Sequence, residues 1–412
     1  MYMKKSCICS FFSYTELTVL FGDRMVIYIV KEGDTVSAIA ASYGIDPEGI
    51  IFDNQLAAPY GLIAGQALLL SLAEASGTAE EIGVPAEIPK PSAFVGGYAY
   101  PFISRYVLEQ TLPYLSDLYV FSYGFTSDGM LVPPKLDDSW MISLAKEYGT
   151  APILTLTPLG PDGRFSNRLI SAVVNDLTAR ERLKNEIVGQ ITEWGFEGLD
   201  IDFEYILASD RQAFVDFAVY LREAVSALGY PVSVALAPKT SAEQTGLLYE
   251  GKDYRALGAA ADYVLLMTYE WGYTYGPPMA VAPLNKVRQV LDYAVTEIPR
   301  EKIQLGIPNY GYDWPLPFVR GETKAETVGN VQAVQRAITN GAPVLFDTTA
   351  QAPFYRYGFQ GISHEVWFED VRSMNSTFDL IKEYGLRGGS YWNIMQLFRA
   401  NWLLLGESFS IG

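Results

Sequence analysis

Two hydrophobic rhythms divide the chain. Over residues 26–71 apolar positions alternate in "VIYIV", recur at helical spacing in "GDTVSAIAASYGI" (Val36, Ile39, Ala40, Tyr43), and form a strand-like run in "AGQALLLS". Asp34 or Thr35 can cap the first helix and "PEGIIFDNQL" supplies a second, so the unit reads strand, helix, helix, strand. The next stretch, "LAEASGTAEEIGVPAEIPKP" at 72–91, is rich in Ala, Glu, Gly and Pro, has no apolar period, and predicts a linker. From residue 93 short apolar strands alternate with amphipathic helices, the strands falling near 94–100, 118–124, 152–158, 198–204, 232–238, 263–270, 303–311 and 388–393. Eight such strands over about 320 residues have the size and rhythm of a (β/α)8 (TIM) barrel. The gap between the seventh and eighth is about twice the others, which predicts a small α+β insertion at about 313–384 with "PFYRYGF" and "HEVWFED" as strands. The domains expected are thus an N-terminal extension (1–24), a small βααβ unit (25–71), a linker (72–92) and a barrel (93–412).

Within this pattern "GLDIDFEY" (198–205) stands out, because Asp200, Asp202 and Glu204 alternate with Leu199, Ile201 and Phe203. Successive side chains of a strand point to opposite faces. In a barrel the apolar set would pack on the surrounding helices and the three carboxylates would climb the interior, with Glu204 at the rim where barrel strands end. Buried carboxylates lose hydration and repel one another, so at least one of them is expected to hold a proton at neutral pH.

Composition narrows the chemistry. The 412 residues carry a formal charge of −17, which disfavours nucleic acid or an anionic membrane surface as partner. No apolar run is long enough to span a bilayer. Cys7 and Cys9 are too close in sequence to staple the fold, and the single histidine, His364, excludes a multi-histidine metal site; a structural role is expected for it. The first 24 residues have a Lys pair but an interrupted apolar run and no small-residue cleavage site, so they make a poor signal peptide; a start at Met25 explains them better as a mis-assigned extension.

Two family resemblances add to this reading. "YIVKEGDTVSAIAASYGI", "NQL" and "IAGQALLL" resemble the LysM domain, a βααβ module that binds N-acetylglucosamine glycans such as peptidoglycan and chitin. The resemblance implies a sugar groove between Gly33, Asp34 and Thr35 on one side and the loop carrying Pro59 and Tyr60 on the other. "FEGLDIDFEY" resembles the signature of glycoside hydrolase family 18, with Glu197 where that family usually has Asp. "LLMTYEWG" resembles its sixth-strand motif with Glu270 replacing Asp, and "GGSYWN" its eighth strand; the Ser-x-Gly-Gly of many family chitinases is missing from "TLTPLG".

The family 18 resemblance implies a retaining, substrate-assisted glycosidase needing no metal or other cofactor. In it Glu204 is the general acid, Asp202 holds the substrate acetamido group, Asp200 supports Asp202, Tyr269 donates to the acetamido oxygen, and Trp392 floors the pocket. Tyr98, Tyr123, Asn309, Tyr310 and Trp314 lie at or just past predicted strand ends and are candidate substrate contacts, with Met267 lining the pocket bottom and Glu270 orienting its neighbours through hydrogen bonds. A LysM unit joined to a barrel with "IDFEY", "MTYEWG" and "GIPNYGYDWPLP" resembles the bacterial spore-germination and cortex-lytic N-acetylglucosaminidases. That implies peptidoglycan as partner and a spore or cell-wall location. The rivals are a chitinase, a wall-binding lectin, and a metal-dependent hydrolase using the acidic row.

Overall fold

The structure, a computed structural model, describes residues 19–21, 24–72, 89–160 and 163–412. Most of the expected linker, most of the N-terminal extension and both cysteines lie outside the described residues. Eight parallel strands form the barrel: Ser92–Ala99, Asp117–Phe125, Ala151–Leu156, Leu199–Ile201, Val232–Leu236, Tyr263–Leu266, Ile303–Pro308 and Gly388–Trp392. Each pairs with the next in sequence, and the eighth closes on the first with Gly388 opposite Phe94 and Tyr391 opposite Gly97. The two faces of each strand differ as the alternation requires. Leu118, Val120, Leu154, Leu156, Leu199, Ile201, Val232, Val234, Val264 and Leu266 face the helices in one continuous core. Tyr98, Tyr119, Phe121, Ile153, Tyr263 and Leu265 fill the interior.

The second strand breaks its own alternation. Tyr119 and Phe121 point inward, but the register shifts between Val120 and Tyr123, a bulge that puts Tyr123 and Phe125 on the helix side. The fourth strand is shorter than its sequence pattern: only Leu199–Ile201 pairs, although the Asp202 amide still donates to the Leu156 carbonyl at 3.0 Å. At Tyr205 the backbone turns into the left-handed region, with φ 43°.

Between the seventh and eighth strands sits the insertion, a five-stranded antiparallel sheet in the order Glu326–Val328, Gly311–Leu316, Ile362–Trp367, Ala352–Phe359, Leu345–Asp347. The helix Asn330–Thr339 covers one side through Ala333 and Ala337. The helix Val371–Tyr384 that follows packs on the barrel core through Val371, Met374, Phe378 and Ile381.

The N-terminal unit pairs Met25–Ile29 antiparallel with Ala67–Ser71 and adds Val19–Phe21 as a third strand. Val26, Leu68 and Leu70 meet Val36, Ile39, Ala40 and Ile50 of its two helices in a small core. The opposite sheet face is not solvated. Ile27 and Leu69 are buried in the barrel's own core, flanked by Met25, Ile29 and Ala67. The sheet lies against the helices Val371–Tyr384 and Arg399–Ser408.

Polar contacts fix this seat. Val344 N–H donates to the Ala64 carbonyl at 2.9 Å, and Arg372 donates to the Gly65 carbonyl at 3.1 Å. The Arg399 amide donates to Gln55 at 2.7 Å while its guanidinium lies 4.0 Å over the Phe52 ring. The sequence suggested a module held to the barrel by its linker; the structure shows one packed onto it.

Gly65 measures how tight the seat is. Its φ of 82° favours glycine, and a Cβ there would fall 1.9 Å from the Val344 carbonyl oxygen. Gly65→Ala should therefore cost at least about 1–3 kcal/mol through the strained backbone alone, and it should detach the small domain before the barrel melts. Urea unfolding followed by tryptophan fluorescence should show a lower first midpoint than the parent protein.

Candidate active site

The acidic row is built from the bottom of the barrel upward. Asp200 is fully buried, and both of its carboxylate oxygens have donors: Ser233 at 2.6 Å from the fifth strand and Tyr98 at 2.8 Å from the first. Tyr98 is held in turn by a stack on Tyr119, with ring centroids 4.4 Å apart. That stack needs Gly96, where a Cβ would fall 2.3 Å from the Tyr119 ring. Burial lifts the Asp200 carboxyl to about 6, against the pull of Ser233, Tyr98 and the Lys252 charge.

Asp202, one step up, is 6% exposed, and its Oδ1 has no hydrogen-bond partner among the described residues. Burial, then Glu204, then Asp200 push its carboxyl well above the ordinary range. At the rim Glu204 is half-buried and is also raised, chiefly by desolvation and against Lys252. Two adjacent raised carboxyls behave as one titrating pair that retains a proton above the pH at which free carboxyls lose theirs.

Other strands complete the cleft. Tyr269 follows the sixth strand, and Gly306 opposite gives it room, since a Cβ there would fall 2.8 Å from the tyrosine ring. Burial and the neighbouring carboxylates raise its phenol well above 10, so it is a hydrogen-bond donor throughout the physiological range. Trp392 ends the eighth strand and stands edge-on to Phe121, Tyr98 and Tyr100 at 4.9, 5.7 and 6.2 Å between centroids. Met267, partly buried, packs on the interior cluster below. Glu270 is exposed as a residue, but its carboxylate accepts from Tyr310 and, at 2.9 Å, from Tyr312.

Several sequence candidates have other employment. Tyr98 is not a rim residue; it is 2% exposed and supports Asp200 from within. Tyr123 faces the helices because of the bulge, donating to Asp138 at 2.7 Å. Asn309 is buried and ties the chain after the eighth strand by donating to the Asn393 and Gln396 carbonyls at 3.1 and 2.9 Å. Trp314 is fully buried in the insertion and donates to the Gly276 carbonyl at 2.8 Å. Tyr310 reaches the cleft through Glu270.

Glu197 is remote, in a surface pair with Lys146 at 3.4 Å, and His364 sits 2.8 Å from Asp313 inside the insertion, a structural contact. Ser233 and Lys252 were missed. The small residues at alternate positions of "VSVALA" were a legible sign of Ser233; Lys252 carried none. Among the described residues no group of three or more His, Cys, Asp or Glu is arranged to hold a metal ion.

In the small domain Asp34 accepts from the Tyr28 hydroxyl and the Lys31 amide, each at 2.7 Å, and Thr35 caps the helix Val36–Tyr43 through the Ala38 amide at 3.2 Å. Gly33, Pro59 and Tyr60 are exposed. The docking onto the barrel leaves both loops open.

A closed parallel barrel with a carboxyl row at the C-terminal end of its fourth strand, joined to a small βααβ module, is the architecture of a glycosidase with a glycan-binding appendage. Comparison with known proteins gives the family. The model of glycosyl hydrolases family 18 matches residues 160–396 and the LysM domain model matches 28–71. The chain is 39% identical to the cortical fragment-lytic enzyme of Bacillus subtilis over 94% of this chain and 99% of that one. Among solved structures, the spore cortex-lytic enzyme SleL of Bacillus megaterium superposes with a TM-score of 0.87 at 34% identity, over 94% of this chain and 98% of that one. A chitinase from Chromobacterium violaceum superposes with a TM-score of 0.71 at 26% identity, over 77% and 98%. The chain belongs to glycoside hydrolase family 18 and carries an N-terminal LysM domain.

The Asp200 contacts set a pH signature. A carboxyl raised from 3.8 to about 6 in the folded protein costs stability as pH climbs through that window, because the unfolded chain ionises first. Tyr98→Phe removes a donor to the charged form, worth about 1.5–3 kcal/mol, and raises the carboxyl further. Thermal unfolding should show the variant near the parent at pH 5 and progressively below it as pH passes about 6.

Proposed function

We propose that the protein is a retaining, substrate-assisted N-acetylglucosaminidase that cleaves the β-1,4 bond after N-acetylglucosamine in peptidoglycan, with spore cortex as its substrate. The observation that carries the mechanism is the buried, unpartnered Oδ1 of Asp202 lying between a fully bonded Asp200 and the rim carboxyl of Glu204. An unmet acceptor in a dry pocket calls for a donor from the substrate, and an acetamido N–H is a donor of the right kind. The only other carboxylate in the cleft among those described, Glu270, is turned onto two phenols, which disfavours it as a nucleophile.

Binding places the acetamido methyl and sugar face on Trp392. Tyr269 donates to the acetamido oxygen and aligns it beneath the anomeric carbon. Glu204, whose carboxyl desolvation raises above its ordinary range, gives its proton to the glycosidic oxygen as that bond breaks. The acetamido oxygen bonds to the anomeric carbon, and the resulting oxazolinium cation is stabilised by Asp202, which has taken the N–H into a charge-assisted bond. Glu204, now ionised, removes a proton from water as the water oxygen attacks the same carbon; the bond from that carbon to the acetamido oxygen breaks, which regenerates the neutral acetamide and restores the β configuration. Three acids on one strand cannot straddle a sugar, which supports an internal nucleophile over a second carboxylate.

Peptidoglycan is favoured by the LysM domain and by full-length relatives named for cortex lysis. The same names support a location at the spore or cell wall. Purified protein and a Glu204→Gln variant, each incubated with spore cortex and with vegetative peptidoglycan, provide the test. Fragments reduced with borohydride and analysed by mass spectrometry should carry reduced N-acetylglucosamine ends from the parent, with turnover about 10²- to 10⁴-fold lower in the variant. Release of new ends from chitooligosaccharides alone would make it a chitinase, and binding to wall without new ends would make it a lectin.

A further inference from the structure

Lys252 is fully buried at the end of the loop that follows the fifth barrel strand. Its Nζ donates to the Ala235 carbonyl at 2.6 Å. Because Asp200 pairs with Ser233, Ala235 is the fifth-strand residue level with Asp202, and its single methyl leaves space on the inward face. The loop is clamped there. A Cβ on Gly251 would fall 2.3 Å from the Ile206 carbonyl oxygen, so the loop presses on the segment just after Glu204. The Lys252 carbonyl in turn accepts from Lys239 at 3.1 Å. A long, flexible cation is thereby fixed under the reacting end of the cleft.

Burying an ammonium without a purpose is costly, and its surroundings supply one. The titratable groups facing it are Asp200, Asp202 and Glu204 from the fourth strand, with Tyr98, Tyr269 and Glu270 grouped around the same carboxylates. We propose that Lys252 is a positioning residue for the Asp202 and Glu204 pair, a fixed buried counter-charge that allows one of them to be ionised inside the barrel while the other keeps its proton. This rests on the reading of those two carboxyls as the reacting pair. Desolvation lowers the lysine to about 8 even against the pull of Asp202, Glu204 and Asp200, so it is mostly charged at neutral pH and loses that charge in mildly alkaline solution.

The test is a set of three variants. Lys252→Met removes charge and hydrogen bond, Lys252→Gln keeps a donor for Ala235 without the charge, and Lys252→Arg keeps the charge. The infrared band of protonated carboxyls, assigned with Asp202→Asn and Glu204→Gln, follows the pair's titration without any substrate. Loss of the cation should move its midpoint up by at least about one pH unit, a tenfold change in proton affinity. The Met and Gln variants should shift alike, and the Arg variant should remain near the parent.

On glycan, the acid limb of kcat should move up in step while KM changes little. Unchanged infrared midpoints in folded Met and Gln variants, or a Gln variant that titrates like the parent, would overturn the assignment. Should the infrared shift occur while the parent protein hydrolyses no glycan, the proposed activity fails and the counter-charge stands.

Discussion

Everything in the cleft depends on holding carboxyl groups in a space from which water is largely removed. A barrel interior cannot hydrate Asp200 or Asp202, so the fold must replace water with fixed donors or force protons onto the acids. It does both, unevenly. Asp200 receives two hydroxyl donors and settles near 6, whereas Asp202, with one oxygen unpartnered among the described residues, is pushed well above the ordinary range by burial and by its carboxylate neighbours. The unevenness is what makes the row chemically useful. A row satisfied along its whole length would be inert, and one satisfied nowhere would be protonated throughout. Supporting residues are therefore as exacting as the acids: Gly96 exists so that Tyr119 can back Tyr98, and Gly306 so that Tyr269 can enter.

The LysM domain contributes by position. A tethered module raises local concentration according to its linker's reach, but this one has its second sheet face buried against the helices Val371–Tyr384 and Arg399–Ser408. Its exposed loops are consequently held at a set distance and angle from the cleft. The seat also explains why Ile27 and Leu69 are apolar on the face opposite the module's own core, a pattern that a free-standing βααβ unit would not need.

The architecture was legible in the sequence because hydrophobic periodicity is set by the same alternation that builds the barrel. "GLDIDFEY" showed its acidic and apolar faces directly, and Leu199, Ile201 and Phe203 do pack outward. What misled was local. Strict alternation places Tyr123 with Tyr119 and Phe121, but one bulge reverses its face. Asn309 and Trp314 lie where a rim residue would, yet each is buried and spends its N–H groups on backbone carbonyls. Lys252 was invisible because its role comes from a loop folded back across the fifth strand, and no spacing in "YEGKDY" records that return.

The insertion, finally, is part of the cleft's electrostatics. Glu270 is one methylene longer than the aspartate usual in the family, and its backbone is held at a φ of 66°. The longer side chain reaches the hydroxyls of Tyr310 and Tyr312, the second of which belongs to the insertion's strand Gly311–Leu316. That strand can pass close to the neighbouring Ile362–Trp367 because residue 311 is glycine; a Cβ there would fall 2.2 Å from the Trp367 carbonyl oxygen. Trp314 then anchors the strand from its buried side onto the chain that follows Glu270. Glu270 and the insertion thus meet at the Tyr312 hydroxyl. The inserted sheet supplies a phenol to the Glu270 carboxylate, and Glu270, so held, adds to desolvation in raising the Glu204 carboxyl against the pull of Lys252.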